Sequence, residues 1–131
     1  MTPILLDTHY LLWALRTPEI LPGHIAETIA DPAVTVCFSA ASIWEIAIKA
    51  ALGKDMFRLD PNDVLRISKE TGFSELAITS DVAARVAVLA QYHKDPFDRL
   101  LVAQAMTLPA RLLTADAALG RYSDLVWVEP V

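Results

Sequence analysis

Short apolar runs alternate along this chain with longer stretches in which apolar residues recur every three or four positions. "PILLD" (3–7) is apolar without alternation, the pattern of a short strand covered on both faces, and "VTVCFS" (34–39) adds β-branched residues. "ELAIT" (75–79), "RLLTA" (111–115) and "LVWVE" (125–129) are three further strand candidates. Between them, 8–16, 22–30, 40–52, 62–71, 81–92 and 97–108 carry helix formers at helical spacing, with Gly53, Gly72 and Pro109 as stops. Strands alternating with helices predict an α/β fold: a mainly parallel sheet with helices on both faces. No linker-like tract or internal repeat interrupts the pattern, and 131 residues suit one domain, 1–131.

Sheets of this kind keep their ligand crevice at the carboxyl ends of the strands. Four acidic residues fall at that edge, and each has an ordinary structural explanation. Asp7 closes the first strand run and suits a helix N-cap. Glu45 lies a turn into helix 40–52, where Ser42-x-x-Glu45 fits a capping box and Lys49 is spaced for an ion pair. Its neighbours Ile43, Trp44, Ile46, Ala47 and Ile48 imply burial, so either a metal ion or Lys49 must compensate its charge. In "YHKDPFDRLL" (92–101), Asp95 is the cap, Pro96 the first helical residue and Asp98 a third-position acid that the helix dipole favours. Asp116 follows "RLLTA", with Thr114 as a local capping hydroxyl.

Taken together the four read differently. At about 5 Å and an effective dielectric near 20, each pair of ionised carboxylates repels by roughly 3 kcal/mol. A fold that gathers them needs a cation or shared protons to offset the repulsion. Oxygen donors select hard ions, Mg²⁺ or Mn²⁺, and no paired Cys/His spacing suggests zinc. Such a cluster suits metal-assisted phosphodiester hydrolysis.

Charge and composition narrow this further. A net charge of −5 argues against generic, charge-driven nucleic-acid binding, but two divalent ions would bring it to −1. Hydrophobic residues reach 54%, yet the longest uncharged run, Pro32 to Trp44, is too short to span a bilayer, and "MTPILLD" lacks the basic start of a signal peptide. The lone Cys37 reads as a buried thiol, and a cytoplasmic location is expected.

The segments "LLDTHYLLW", "SAASIWEIAIK", "HKDPFDRLLVAQA" and "LLTADAAL", in this order, resemble PIN-domain ribonucleases, specifically toxins of the VapC family from type II toxin–antitoxin systems. The resemblance spans essentially the whole chain, and "HKDPFDRLLVAQA" is its most specific part. It implies a three-layer fold with a five-stranded parallel sheet ordered 3-2-1-4-5, Mg²⁺- or Mn²⁺-dependent cleavage of RNA, a partner antitoxin and a homodimer that can enter a larger complex with it. By position, Asp7, Glu45, Asp98 and Asp116 match the acidic quartet. Asp7 and Asp98 come first as direct metal ligands, while Glu45 and Asp116 act directly or through water. Thr8 and Thr114 match the supporting polar positions.

Smaller expectations attach to other residues. Arg99 contacts phosphate, pairs with an acid of the site or, since one helical step turns it about 100° from Asp98, forms an ion pair elsewhere. Lys49 orients Glu45. His9 and His93 sit near the mouth, where capping or packing is favoured over contact with RNA, and Trp13, Trp44 and Trp127 belong to core or interface. Two alternatives compete: a non-catalytic PIN-like binding module, and a phosphatase or phosphoacceptor domain. The intact quartet opposes the first. Against the second, one such family needs an Asp at position 9, where His stands, and the other an acid ending the third strand, which "ELAIT" lacks.

Overall fold

A computed structural model describes residues 2–54 and 57–131. Five strands form one parallel sheet in the order β3-β2-β1-β4-β5. They are β1 (Ile4–Leu6), β2 (Val36–Ser39), β3 (Ser74–Leu76), β4 (Arg111–Thr114) and β5 (Val126–Val128). Among the described residues six α-helices accompany them: α1 (Thr8–Arg16), α2 (Gly23–Ala30), α3 (Ala40–Ala51), α4 (Pro61–Glu70), α5 (Ser80–Arg85) and α6 (Pro96–Thr107).

Alternation along the strands divides the core between two faces. Ile4, Leu6, Val36, Phe38 and Leu113 pack with residues of α1, α2 and α4. Leu5, Cys37 and Leu112 pack on the other side with residues of α5 and α6. Successive strand side chains point to opposite faces, so strands apolar at every position require helices on both sides. Burial keeps the Cys37 thiol above its ordinary pKa.

Most expected elements appear with ends trimmed by a residue or two. Gly53 and Gly72, just beyond α3 and α4, adopt φ of +71° and +97°, the left-handed region that favours glycine. Three expectations are corrected. Strand 75–79 stops at Leu76, because β2 ends opposite it at Ser39, and the Gln104 side chain takes the Ala77 carbonyl at 3.2 Å. Helix 81–92 gives out after Arg85 into a 3₁₀ turn at Val86–Val88, where the Val86 carbonyl accepts from both the Leu89 N–H and Arg99, and the Ala90 carbonyl accepts from Arg99. Finally, Ser42 and Glu45 form no capping box: α3 begins earlier, capped by Ser39, whose hydroxyl accepts from the Ala41 N–H.

The central position of β1 places the site. Leu6 registers with Leu113, and the Asp7 N–H bonds the Leu113 carbonyl at 3.0 Å. The ends of β1 and β4, and the acids that follow them, are thereby side by side.

Candidate metal centre

Asp7 is both cap and cleft residue. Its Oδ1 accepts from the Tyr10 N–H at 2.8 Å, closing the first turn of α1, and the side chain is only 5% exposed. Burial raises its pKa, opposed by bonds from Thr114 and Tyr10 and by His9, with Glu45 adding to the rise.

Asp95 caps α6 by accepting from the Phe97 and Asp98 N–H groups at 2.8 and 3.2 Å, with Pro96 at the first helical position. Asp98 is thereby freed from capping and turned into the cleft. Burial pushes its carboxyl up to about 7, helped by the charges of Asp95, Asp7 and Glu45 and opposed by His93. Asp116 caps the 3₁₀ turn Ala117–Arg121 through Oδ1, which accepts from Ala118 N–H at 3.0 Å, while Oδ2 lies 2.8 Å from His93 Nε2. Thr114 helps fix the same loop by accepting from the Asp116 N–H at 3.1 Å.

Asp7, Asp98 and Asp116 line one cleft of about 280 Å³ with His9, Trp13 and Ala115. Size does not single it out, since a cleft of about 370 Å³ lies between Leu12, Trp13, Arg16, Thr17 and Ile20. Three converging carboxylates do.

Glu45 stands behind this cleft, buried and held at both oxygens. Thr8 Oγ1 donates to Oε1 at 2.6 Å, and Lys49 Nζ pairs with Oε2. Ser42 shares the Thr8 hydroxyl at 2.9 Å. Lys49, expected to orient Glu45, is paired with it, and its ammonium lies 4.8 Å from the Phe57 ring centre.

Arg99 departs from expectation. It is 7% exposed, and its guanidinium reaches neither an acid of the cleft nor an open face where phosphate would lie. It donates to the Ala90 carbonyl at 2.9 Å, the Val86 carbonyl at 3.2 Å, the His93 carbonyl at 3.4 Å and the Tyr122 hydroxyl at 3.1 Å. The angular step that points Asp98 into the cleft points Arg99 at the segment before the helix. A planar fork suits such a set of acceptors and a single ammonium does not. Arg99→Lys is expected to cost about 2–3 kcal/mol of stability, read by urea denaturation. A loss below about 1 kcal/mol would mean that the carbonyls do not depend on the fork.

His93, expected near the mouth, reaches further in: its Nε2 also lies 3.6 Å from Asp98 Oδ2. The signal was present in the sequence as a histidine two residues before a capping aspartate. His9 lines the cleft and contacts the Trp13 and Phe57 rings. Trp44 is 59% exposed and packs edge-on against Phe97, whereas Trp13 and Trp127 are half-buried against the core.

The donor set fits a hard divalent cation. Carboxylate oxygens converge, two of the carboxyls are held above their ordinary pKa, and one oxygen each of Asp98 and Asp116 lies with a His93 nitrogen inside a 4.8 Å span.

The PIN-domain family matches residues 4–125. No curated protein matches the sequence. Among solved structures, the chain is similar to VapBC2 from Rickettsia felis bound to a DNA fragment from its promoter, at 14% identity and TM-score 0.68, covering 98% of both chains. DNA-bound VapBC from Salmonella typhimurium matches at 17% identity and TM-score 0.66, covering 99% of this chain and 98% of that one. A toxin–antitoxin complex from Klebsiella pneumoniae matches at 21% identity and TM-score 0.61, covering 98% and 99%. At these identities the structural likeness speaks for the fold, and the family match over nearly the whole length carries the assignment: the chain belongs to the PIN-domain family.

Proposed function

We propose that this chain, as a single PIN domain, is a divalent-metal-dependent endoribonuclease and the toxin of a type II toxin–antitoxin pair of the VapC kind. The convergence of Asp7, Asp98 and Asp116 on one cleft carries this reading. Asp7 and Asp98 would hold one Mg²⁺ or Mn²⁺ ion, and Asp116 a second, directly or through water. Such ions supply a lowered pKa for bound water and positive charge against the phosphate. The residues of the chain do the rest. Asp7 and Asp98 are fixed by a strand end and a capped helix, so neither must be ordered when substrate arrives. Glu45 is held by Thr8 and Lys49 facing the same acids and orients water. Hydrolysis adds water across the P–O3′ bond, leaving a 5′-phosphate and a 3′-hydroxyl.

The likeness to a toxin–antitoxin complex and to two VapBC structures supports a cognate antitoxin as partner. Exposed Trp44 and Leu52, on α3 and at its end, support a homodimer or antitoxin contact there. Among the described residues no helix is long and apolar enough to cross a membrane.

The test is cleavage of total bacterial RNA by purified, antitoxin-free protein with Mg²⁺ or Mn²⁺ against EDTA. Discrete cuts bearing 5′-phosphates, seen only with metal, are expected. Their absence in a folded, metal-binding protein would remove the broad ribonuclease reading.

A further inference from the structure

His93 is bonded on every side. Its backbone N–H donates to the Tyr122 hydroxyl at 3.0 Å, and its carbonyl accepts from Arg99. Its Nδ1 lies 3.0 Å from the backbone N–H of Asp95. A backbone amide only donates, so Nδ1 carries the lone pair and the proton of the neutral ring sits on Nε2. That nitrogen faces the acids, and its N–H donates to Asp116 Oδ2 at 2.8 Å.

Distance alone would make Nε2 a metal ligand beside Asp98 and Asp116. The hydrogen bond at the far side of the ring opposes this. To ligate a cation, Nε2 needs its lone pair, the proton must move to Nδ1, and it would then meet the Asp95 N–H donor to donor. The Asp95 amide cannot easily turn away, because its own side chain and carbonyl start α6: Oδ1 accepts from Phe97 and the carbonyl accepts from the Arg99 N–H at 3.1 Å.

We propose that His93 is a positioning residue, whose Nε2–H holds Asp116 in place for the second cation of the cleft without itself ligating the ion. This rests on the reading of Asp116 as a holder of that ion. Asp116 needs such a partner. It follows a strand end in a loop, its side chain is 43% exposed, and among the described residues its other oxygen is tied to the Ala118 N–H alone. Partners that orient ligating carboxylates typically change metal affinity by about 10- to 100-fold when removed. Arg99 enters the same device indirectly. By gathering the carbonyls of Val86, Ala90 and His93 it folds the segment that brings the imidazole over the cleft.

Replacement by Gln separates positioning from ligation, since its amide offers an N–H close to the place of Nε2 but is a poor ligand and does not titrate. Mn²⁺ binding to the full chain, followed by calorimetry and by the EPR signal of free Mn²⁺, is expected to weaken about tenfold or more in His93→Ala. His93→Gln should stay within about threefold of wild type. In metal-free wild type, the imidazole ¹⁵N spectrum should show Nδ1 unprotonated and Nε2 protonated, a readout that needs no substitution if the Ala variant fails to fold. Equal losses in folded Gln and Ala variants, unchanged binding in Ala, no Mn²⁺ binding by wild type, or a proton on Nδ1 would each overturn the proposal. None of these readouts uses RNA, so a wild type that binds Mn²⁺ without cutting RNA removes the nuclease reading alone.

Discussion

Asp98→Asn is expected to fold normally and to lose metal-dependent RNA cleavage by about 10³-fold or more, equivalent to about 4 kcal/mol of barrier. The amide matches the carboxylate in shape but carries no charge, and it offers a cation one weak oxygen instead of two charged ones. The cap of α6 belongs to Asp95, so the helix does not depend on the substituted side chain. Asp95→Asn is the informative control, because asparagine caps as well as aspartate does. It should reduce cleavage far less, although both variants remove one charge from the same helix turn. Rates measured on one RNA with saturating Mn²⁺, alongside circular dichroism of each variant, decide the matter. If Asp98→Asn cuts at the wild-type rate, Asp98 is a dipole-favoured first-turn acid and nothing more.

That distinction was partly legible in the sequence. "DPFD" offers one aspartate before the proline and one after, and capping geometry admits only the first as the cap. The centre of the sheet was equally open to reading, because β1 and most of β2 and β4 are apolar on both faces and leave none for water, unlike the polar, exposed edge strand β3. Asp7 and Asp116 could be placed at strand ends for the same reason. Harder to read were features made by contacts between distant segments. Helix 81–92 has good helical spacing, but Arg99 arriving from α6 takes the Ala90 carbonyl and adds a second donor to that of Val86. Ser42 and Glu45 fit a local capping pattern, yet both are claimed by Thr8, more than thirty positions away. Local propensity describes what a segment does alone, and these are cases where a buried polar group from elsewhere outbids it. His93 falls between the two kinds: its distance from Asp95 was visible, but its reach to Asp116 depends on how β4 ends.

The clustered acids should also make the metal-free protein less stable as pH rises. The unfolded chain releases the Asp98 proton near 3.8, whereas burial and neighbouring charge hold it in the folded protein to about 7. Between those values the native state binds more protons than the unfolded state, so stability falls with increasing pH and levels off above about 7. Asp7 is raised in the same direction and adds to the trend. For Asp98 the span of roughly three pH units corresponds to about 4 kcal/mol at full effect. The comparison with Asp98→Asn isolates this contribution from other titrating groups. The two proteins should melt at similar temperatures near pH 4, where wild-type Asp98 is neutral in the folded state and only about half ionised in the unfolded chain, so that little of the effect has developed. By pH 8 the variant should be the more stable by about 15 °C, at roughly 4 °C per kcal/mol for a chain of this length. Saturating Mn²⁺ should then narrow the gap from the wild-type side, since an ion that binds only the folded state at 100 times its Kd contributes about 2.7 kcal/mol. A melting difference that is the same at pH 4 and pH 8 would show that Asp98 bears no excess charge strain in the folded protein. A gap that opens with pH but does not respond to Mn²⁺ or Mg²⁺ would mean that the carboxylates are gathered without a cation to hold. The pair of curves therefore tests the electrostatics of the cleft and its occupant separately, with no RNA in the tube.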